Sequence, residues 1–202
     1  DNVTYTITDN ITDFIVVERN NIIIDGDGYT LQGTGSGNGF YLSGVNNVTI
    51  KKTSIKLFSL GIVLYSVSHN NISENKITNN TIGVGFDSSS TNTISGNNIT
   101  NNSDYGVAFI GSHFNLISEN NITNSNYGVY LTYSLINIIS GNNITNNSYH
   151  GIFFFGSYFN VISGNNMAYN FYGALLMSSH FNMISGNNIT NNARAILLAG
   201  SS

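Results

Sequence analysis

The chain has 202 residues, a formal net charge of −4 and only 8% charged side chains, about a third of the usual share. Six Lys and Arg in all give no basic stripe for nucleic acid and no polybasic membrane anchor. The absence of Cys excludes a disulfide framework and any thiolate metal site. Solubility therefore rests on the amides and hydroxyls of Asn, Ser and Thr. No apolar run reaches the ~18 residues of a membrane-spanning helix.

Residues 1–31 are the least regular stretch. Val3, Tyr5 and Ile7 alternate with Thr, and the β-branched runs at 14–17 and 22–24 suit buried strands. A turn follows at Asp25-Gly26-Asp27-Gly28; its two carboxylates are a candidate Ca²⁺ site, although such turns more often cap backbone groups. Residues 33–39 read as a flexible excursion. The start at Asp1 is what a processed, secreted protein would have.

From Ile50 onward the sequence repeats. The unit Ile94–Asn102, ISGNNITNN, returns in close copies beginning at Ile72, Ile117, Ile139, Ile162 and Ile184, a period of 22 or 23 residues. A second motif follows each leading isoleucine: GIVL at Gly61, GVGF at Gly83, GVAF at Gly106, GVYL at Gly128, GIFF at Gly151 and GALL at Gly173, with Ala195 in the glycine's place in the last copy. The 22/23 variation falls wholly in the turn before that glycine, where Asp104-Tyr105 and Tyr149-His150 sit in the two longer turns. Such a period marks stacked coils. No repeat holds the 10–12 helix-patterned residues that a helix needs, so the coils are built of short strands. The reading is all-β: a parallel β-helix of about eight coils in one domain, 1–202, with irregular first coils over 1–45 and regular repeats over 46–202.

Strand alternation assigns faces. With Ile77, Ile99, Ile122, Ile144, Met167 and Ile189 inward, the sequon asparagines Asn98, Asn121, Asn143 and Asn188 face solvent, as does a threonine column at 100, 123, 145 and 190. These asparagines are the glycosylation candidates. One residue earlier, Asn75, Asn97, Asn120, Asn142, Asn165 and Asn187 point inward at a bend as a hydrogen-bonded amide ladder. Asn70, Asn92, Asn115, Asn137, Asn160 and Asn182 mark another corner, which Asn suits because it tolerates left-handed backbone angles.

These repeats resemble the right-handed parallel β-helix repeat family, in particular its NosD-like branch of carbohydrate-binding proteins and sugar hydrolases, frequent in archaeal cell-surface proteins. The resemblance covers roughly residues 20–202 and implies the fold far more specifically than a function. It implies catalytic carboxylates clustered on adjacent coils, or copper handling through His and Met. Neither pattern is present. Glu74 and Glu119 share a column but lie two coils, about 10 Å, apart. His113 and His180 are three coils apart, and Met167, Met177 and Met183 occupy different columns. The expectation is no enzyme, no catalytic or metal residues and no cofactor beyond the Asp25/Asp27 possibility.

The outward positions of the second motif are unusually apolar: Tyr130, Phe153, Phe155, Leu175, Met177 and Leu197 form a face too large for a monomer to leave bare. The expected function is a non-catalytic, glycosylated cell-surface protein that assembles head to tail, Ser201 of one copy leading into Asn2 of the next, with possible lateral contacts on the apolar face. The alternatives are a carbohydrate-binding or sugar-hydrolase module, whose ligand would stack on that face, and an ice-binding solenoid using the Thr and Asn columns.

Overall fold

A computed structural model describes residues 3–202. Among these residues there is no helix, and twenty-six short strands wind into a right-handed parallel β-helix of about nine turns. Each turn contributes to three parallel sheets, here A, B and C, of nine, eight and nine strands. One turn illustrates them all: Thr93–Ser95 lies in sheet A, Asn98–Thr100 in sheet B and Tyr105–Ile110 in sheet C.

Identical residues stack on one another because the register advances by one repeat per coil. Ile72, Ile94, Ile117, Ile139, Ile162 and Ile184 are successive partners in sheet A. In sheet B, Ile77, Ile99, Ile122, Ile144, Met167 and Ile189 follow the same rule. Apart from the last coil's Ile184 and Ile189, which are partly exposed, all of these are fully buried, each worth about 1.5–3 kcal/mol of burial. Sheet C adds Val84, Phe86, Val107 and Phe109, the two rings stacking at 4.6 Å.

The first coils are more regular than the alternation suggested. Val3–Thr6 pairs with Ile22–Asp25, and Ile22–Asp25, Thr30–Gln32 and Asn38–Ser43 already form a full three-strand coil within the segment expected to be irregular. Most of the 33–39 excursion is the bend between two of these strands. In the acidic turn Asp25 uses both carboxylate oxygens, one on the Lys51 ammonium at 3.0 Å and one accepting from the Asp27 N–H at 3.1 Å. Lys51 holds its pKa below the ordinary carboxylate value.

Buried polar groups at the bends are satisfied by amide stacking. Asn120 is typical: its Nδ2 donates to the carbonyls of Ile94 and Ser118 at 2.9 Å and to Asn142 Oδ1 at 3.0 Å. Its Oδ1 accepts from the N–H and Nδ2 of Asn97. The pattern runs from Asn75 to Asn187, and the Asn70–Asn182 column repeats it at the neighbouring bend. A third ladder, not anticipated from the sequence, joins Asn80 to Asn102 and Asn147 to Asn170 and Asn192. Ser125 interrupts it, and its buried hydroxyl has no partner. A fourth column is made of serine, Ser89, Ser112, Ser134, Ser157, Ser179 and Ser201.

The bends require left-handed backbone. Four columns of residues have φ near +50 to +65°, for example Glu74, Gly96, Glu119, Gly141, Gly164 and Gly186 between sheets A and B. Gly and Asn occupy many of these positions at little cost. Phe114, Ile136, Phe159 and Phe181 hold one such column as well, where a bulky or β-branched side chain costs roughly 1–2 kcal/mol.

The glycine of the second motif has a different role. A methyl built on Gly61, Gly83, Gly128, Gly151 or Gly173 would stand within 2.6 Å of the carbonyl oxygen one coil above. The pairing register skips this glycine: Leu60 pairs with Ile82 and then Ile62 with Val84. The strand bulges there and its parity reverses.

Two stability outcomes follow from the ladders. Asn120→Ala breaks the ladder hydrogen bonds of its amide, four of them buried, and should lower unfolding free energy by about 1–3 kcal/mol, whereas Asn121→Ala, on the outside, should cost far less; chemical denaturation midpoints compare them. Ser125→Asn, which completes the third ladder, should raise stability by about 1 kcal/mol, read as a higher midpoint at unchanged slope.

Candidate functional site: the aromatic face of sheet C

The reversal of parity at the glycine brings a further column to the outside of sheet C. The residue before each glycine, in the order Leu60, Ile82, Tyr105, Tyr127, His150, Tyr172 and Arg194, stacks coil on coil and faces outward. Beside it runs the column Val63, Gly85, Ala108, Tyr130, Phe153, Leu175 and Leu197. Tyr105 and His150 are thus the first residues of strands Tyr105–Ile110 and His150–Phe155 rather than turn residues.

The two columns interlock as an aromatic tract. Tyr130 stacks on Phe153 at 5.3 Å and 19°, and His150 stacks on Phe153 at 5.5 Å and 20°. Tyr127 and Tyr172 meet His150 edge-on, each at 5.1 Å, and Arg194 lies over Tyr172 at 5.6 Å. Tyr105 packs against Tyr127 and Tyr130. Polar groups fringe the tract on the turn side, where Asn126 Nδ2 donates to Asp104 at 3.4 Å. Toward the earlier coils, the small residues Gly85 and Ala108 leave a depression of about 230 Å³ walled by Val63, Tyr65, Asp87 and Ile110.

Burial among the rings pushes the pKa of His150 below its ordinary value of 6.5, the nearby backbone of Tyr149 opposing this in part. Its Nδ1 is buried and makes no hydrogen bond. The imidazole is therefore neutral at pH 7. Desolvation, followed by the neighbouring Tyr130, raises Tyr105 and Tyr127, so their phenols stay protonated.

Several residues singled out in the sequence occupy other surroundings. Tyr130, Phe153 and Phe155 lie on this face, half-buried, with Met177 more exposed and Leu197 at the last coil. Leu175 differs from expectation: it points outward but is buried, in a trough between the Tyr172 and Met177 columns. Ser201 belongs to the serine ladder, accepting from the Ser179 N–H at 2.9 Å. Asn2 lies outside the described residues. Asn98, Asn121, Asn143 and Asn188 are on the outside of sheet B, where with Asn166 they form an external amide ladder of 2.7–2.8 Å bonds. The threonine column is not an open face: Thr123 and Thr145 are buried, the chain bending just after them. Ice binding loses the surface it needed.

The pattern of the family described as "Periplasmic copper-binding protein (NosD)" matches residues 19–202, and the chain belongs to the NosD family. No characterised protein matches in sequence. Solved structures share the fold at low identity. The Dettilon tailspike protein is 16% identical over 98% of this chain and 60% of its own, with a TM-score of 0.64. A variant of the periplasmic alginate epimerase AlgG is 18% identical over 90% of this chain and 50% of its own, with a TM-score of 0.71. DFA-IIIase from Arthrobacter chlorophenolicus A6, in complex with GF2, is 12% identical over 91% and 53%, also at 0.71. This chain thus spans only half to three fifths of those chains. No helix of the described residues is long and apolar enough to cross a membrane.

Two expectations change in consequence. The scattered acids pointed away from an enzyme, but an alginate epimerase and DFA-IIIase share this fold at low identity, so the expectation of no enzyme is withdrawn. The head-to-tail filament finds no support among the similar proteins.

Copper, named in the family description, does not fit the residues present. Among those described, no three His, Asp or Glu side chains come close enough to share an ion. His113 Nδ1 accepts from the Leu135 N–H, while His69 and His180 pair with serine hydroxyls. Met167 is buried in the core.

The lowered His150 pKa has a definite pH consequence. Between the folded value and 6.5, the unfolded chain binds more protons than the folded one, so stability falls as the pH drops from about 6.5 and the loss is complete below the folded value. In His150→Phe this component should be absent. Thermal unfolding from pH 7.5 to 5 should therefore shift in the variant's favour as acidity increases.

Proposed function

We propose that the outward face of sheet C binds a glycan and that the protein acts on it or holds it outside the cytoplasm. The observation that carries this reading is the tract itself: stacked Tyr130 and Phe153, flanked by Tyr105, Tyr127 and His150, continuous with the depression beside Asp87. Flat, half-exposed rings match the apolar faces of sugar rings, and the phenol hydroxyls with Asp87, Asp104 and Asn126 supply hydrogen bonds at the edges. The tract carries few charges, with Arg194 at one end and Asp104 at its margin, which suits a ligand rich in hydroxyls and poor in charge. Proteins that share the fold include an alginate epimerase and a tailspike, and the family description is periplasmic; both favour a sugar ligand and an exported protein.

A catalytic role is favoured by His150 specifically. It is neutral at pH 7, desolvated and met edge-on by Tyr127, whose phenol stays protonated, the condition in which an imidazole takes up a proton from a bound substrate. Tyr127 would then be placed to return one.

Binding to a panel of neutral and acidic oligosaccharides tests the reading by calorimetry. Tyr130→Ala and Phe153→Ala should each weaken binding by about tenfold or more, roughly the 1.4 kcal/mol or above lost when a central aromatic anchor is truncated, while Asn121→Ala leaves it unchanged. Binding that survives both ring deletions would overturn the assignment to this face. If turnover is found, His150→Gln should reduce it with little effect on affinity.

A further inference from the structure

A second apolar surface runs along the corner that joins sheet C to sheet A, and its composition changes sharply along the solenoid. In the earlier coils the left-handed corner position holds Asn47, His69 and Thr91. In the later coils it holds Phe114, Ile136, Phe159 and Phe181, which are 45–67% exposed. Two residues further on, the outward position of sheet A makes the same change, from Thr49, Asn71 and Thr93 to Leu116, Ile138, Val161 and Met183. The fold accepts polar residues at both positions, so the core does not require the apolar ones. The left-handed geometry disfavours them at the corner. Strain accepted at an exposed position points to a use for the side chain itself.

We infer that this ridge is the contact surface between two copies of the chain, related by a two-fold axis perpendicular to the solenoid. The ridge is straight, because every coil repeats the last; Phe159 and Phe181 stack along it at 5.1 Å and 10°. Turned over by a two-fold, its Phe114 end meets the Phe181 end of the other copy, and the surface is its own complement. Its area fits. The six most prominent side chains, Phe114, Ile136, Ile138, Phe159, Phe181 and Met183, are each about half exposed, and at roughly 150–250 Å² for a whole aromatic residue they present on the order of 600 Å². That is about the per-partner area at the lower end of specific interfaces, which begin near 1,200 Å² in total. On the sheet A side the margin is polar, the Ser118, Ser140 and Ser163 column, as in the wet rim of an interface, while the other margin, His113, Leu135, Tyr158 and His180, is mixed. Unlike the tyrosine tract, the crest of the ridge, Phe114, Ile136, Phe159 and Phe181 with Ile138 and Met183, carries no hydroxyl or amide of its own. An isologous contact closes on itself, so the product is a dimer and not a fibre.

Sedimentation of the full chain from 1 to 100 µM tests this. The expected result is a monomer–dimer equilibrium with no larger species. Phe159→Asn and Ile136→Asn should each raise the dissociation constant about tenfold or more. Asn suits the left-handed corner, so these variants should unfold at the same or a higher temperature than the parent when both are monomeric, which separates lost contact from lost folding. Tyr130→Ala should dimerise normally, which keeps the result distinct from the glycan reading. A parent chain monomeric at 100 µM, growth beyond a dimer, or dimers unaffected by both Asn variants would overturn the inference. So would a monomer whose ridge instead binds lipid vesicles.

Discussion

A solenoid must bend its backbone three or four times per turn, and each bend leaves N–H and C=O groups inside, away from water. An unpaired buried group of this kind costs about as much as a good core contact provides. In this chain the answer is an amide stacked on an amide. Asn120 reaches the carbonyl of Ile94 in the coil below, the carbonyl of Ser118 in its own strand and the side chain of Asn142 above. One side chain thus fixes the bend, the coil spacing and the register together. The isoleucine columns are aligned by these contacts as much as by their own packing. Ser can replace Asn where the bend is tight enough for a hydroxyl to reach, as in the Ser89–Ser201 column; at Ser125 it does not reach, and the hydroxyl is left alone.

The legible part of this sequence was the part governed by period and simple alternation. The 22/23-residue interval, the inward isoleucines and the outward Asn98 column all follow from counting. What escaped was set by local backbone geometry. Asn79-Asn80 and Asn101-Asn102 read as equivalent pairs, yet the first member is left-handed and outside and the second is in a ladder. Alternation carries no information across a bend, so the third ladder was invisible. The tyrosine tract was hidden by a bulge: counting back from Val84 and Phe86 through Gly83 places residue 82 inside, whereas the skipped glycine puts it outside. Tyr105 and His150 read as turn residues because the one-residue length variation falls just before the glycine. A list of residues at that one offset, with Tyr, Tyr, His, Tyr and Arg in succession, would have exposed them.

The two outer surfaces follow from the same economy. Because the interior is satisfied by a fixed set of residues, the outward positions are free to vary from coil to coil, and they vary in blocks. Hydroxyl-bearing rings gather on sheet C beside Asp104 and Asn126, where a polar ligand can be both stacked and hydrogen-bonded. Phe, Ile and Met gather at the corner, where only another apolar surface is complementary. The two chemistries begin at the same level of the solenoid, near Tyr105 and Phe114, and run upward side by side.

The glycine column sets a quantum for change in length. Since each coil presents its upper neighbour with the same small residue and the same carbonyl, a duplicated repeat inserted below Gly173 meets an interface it already fits. A partial repeat would put a side chain where a carbonyl must pass. The solenoid can therefore be lengthened or shortened only in whole coils, about 4.8 Å at a time.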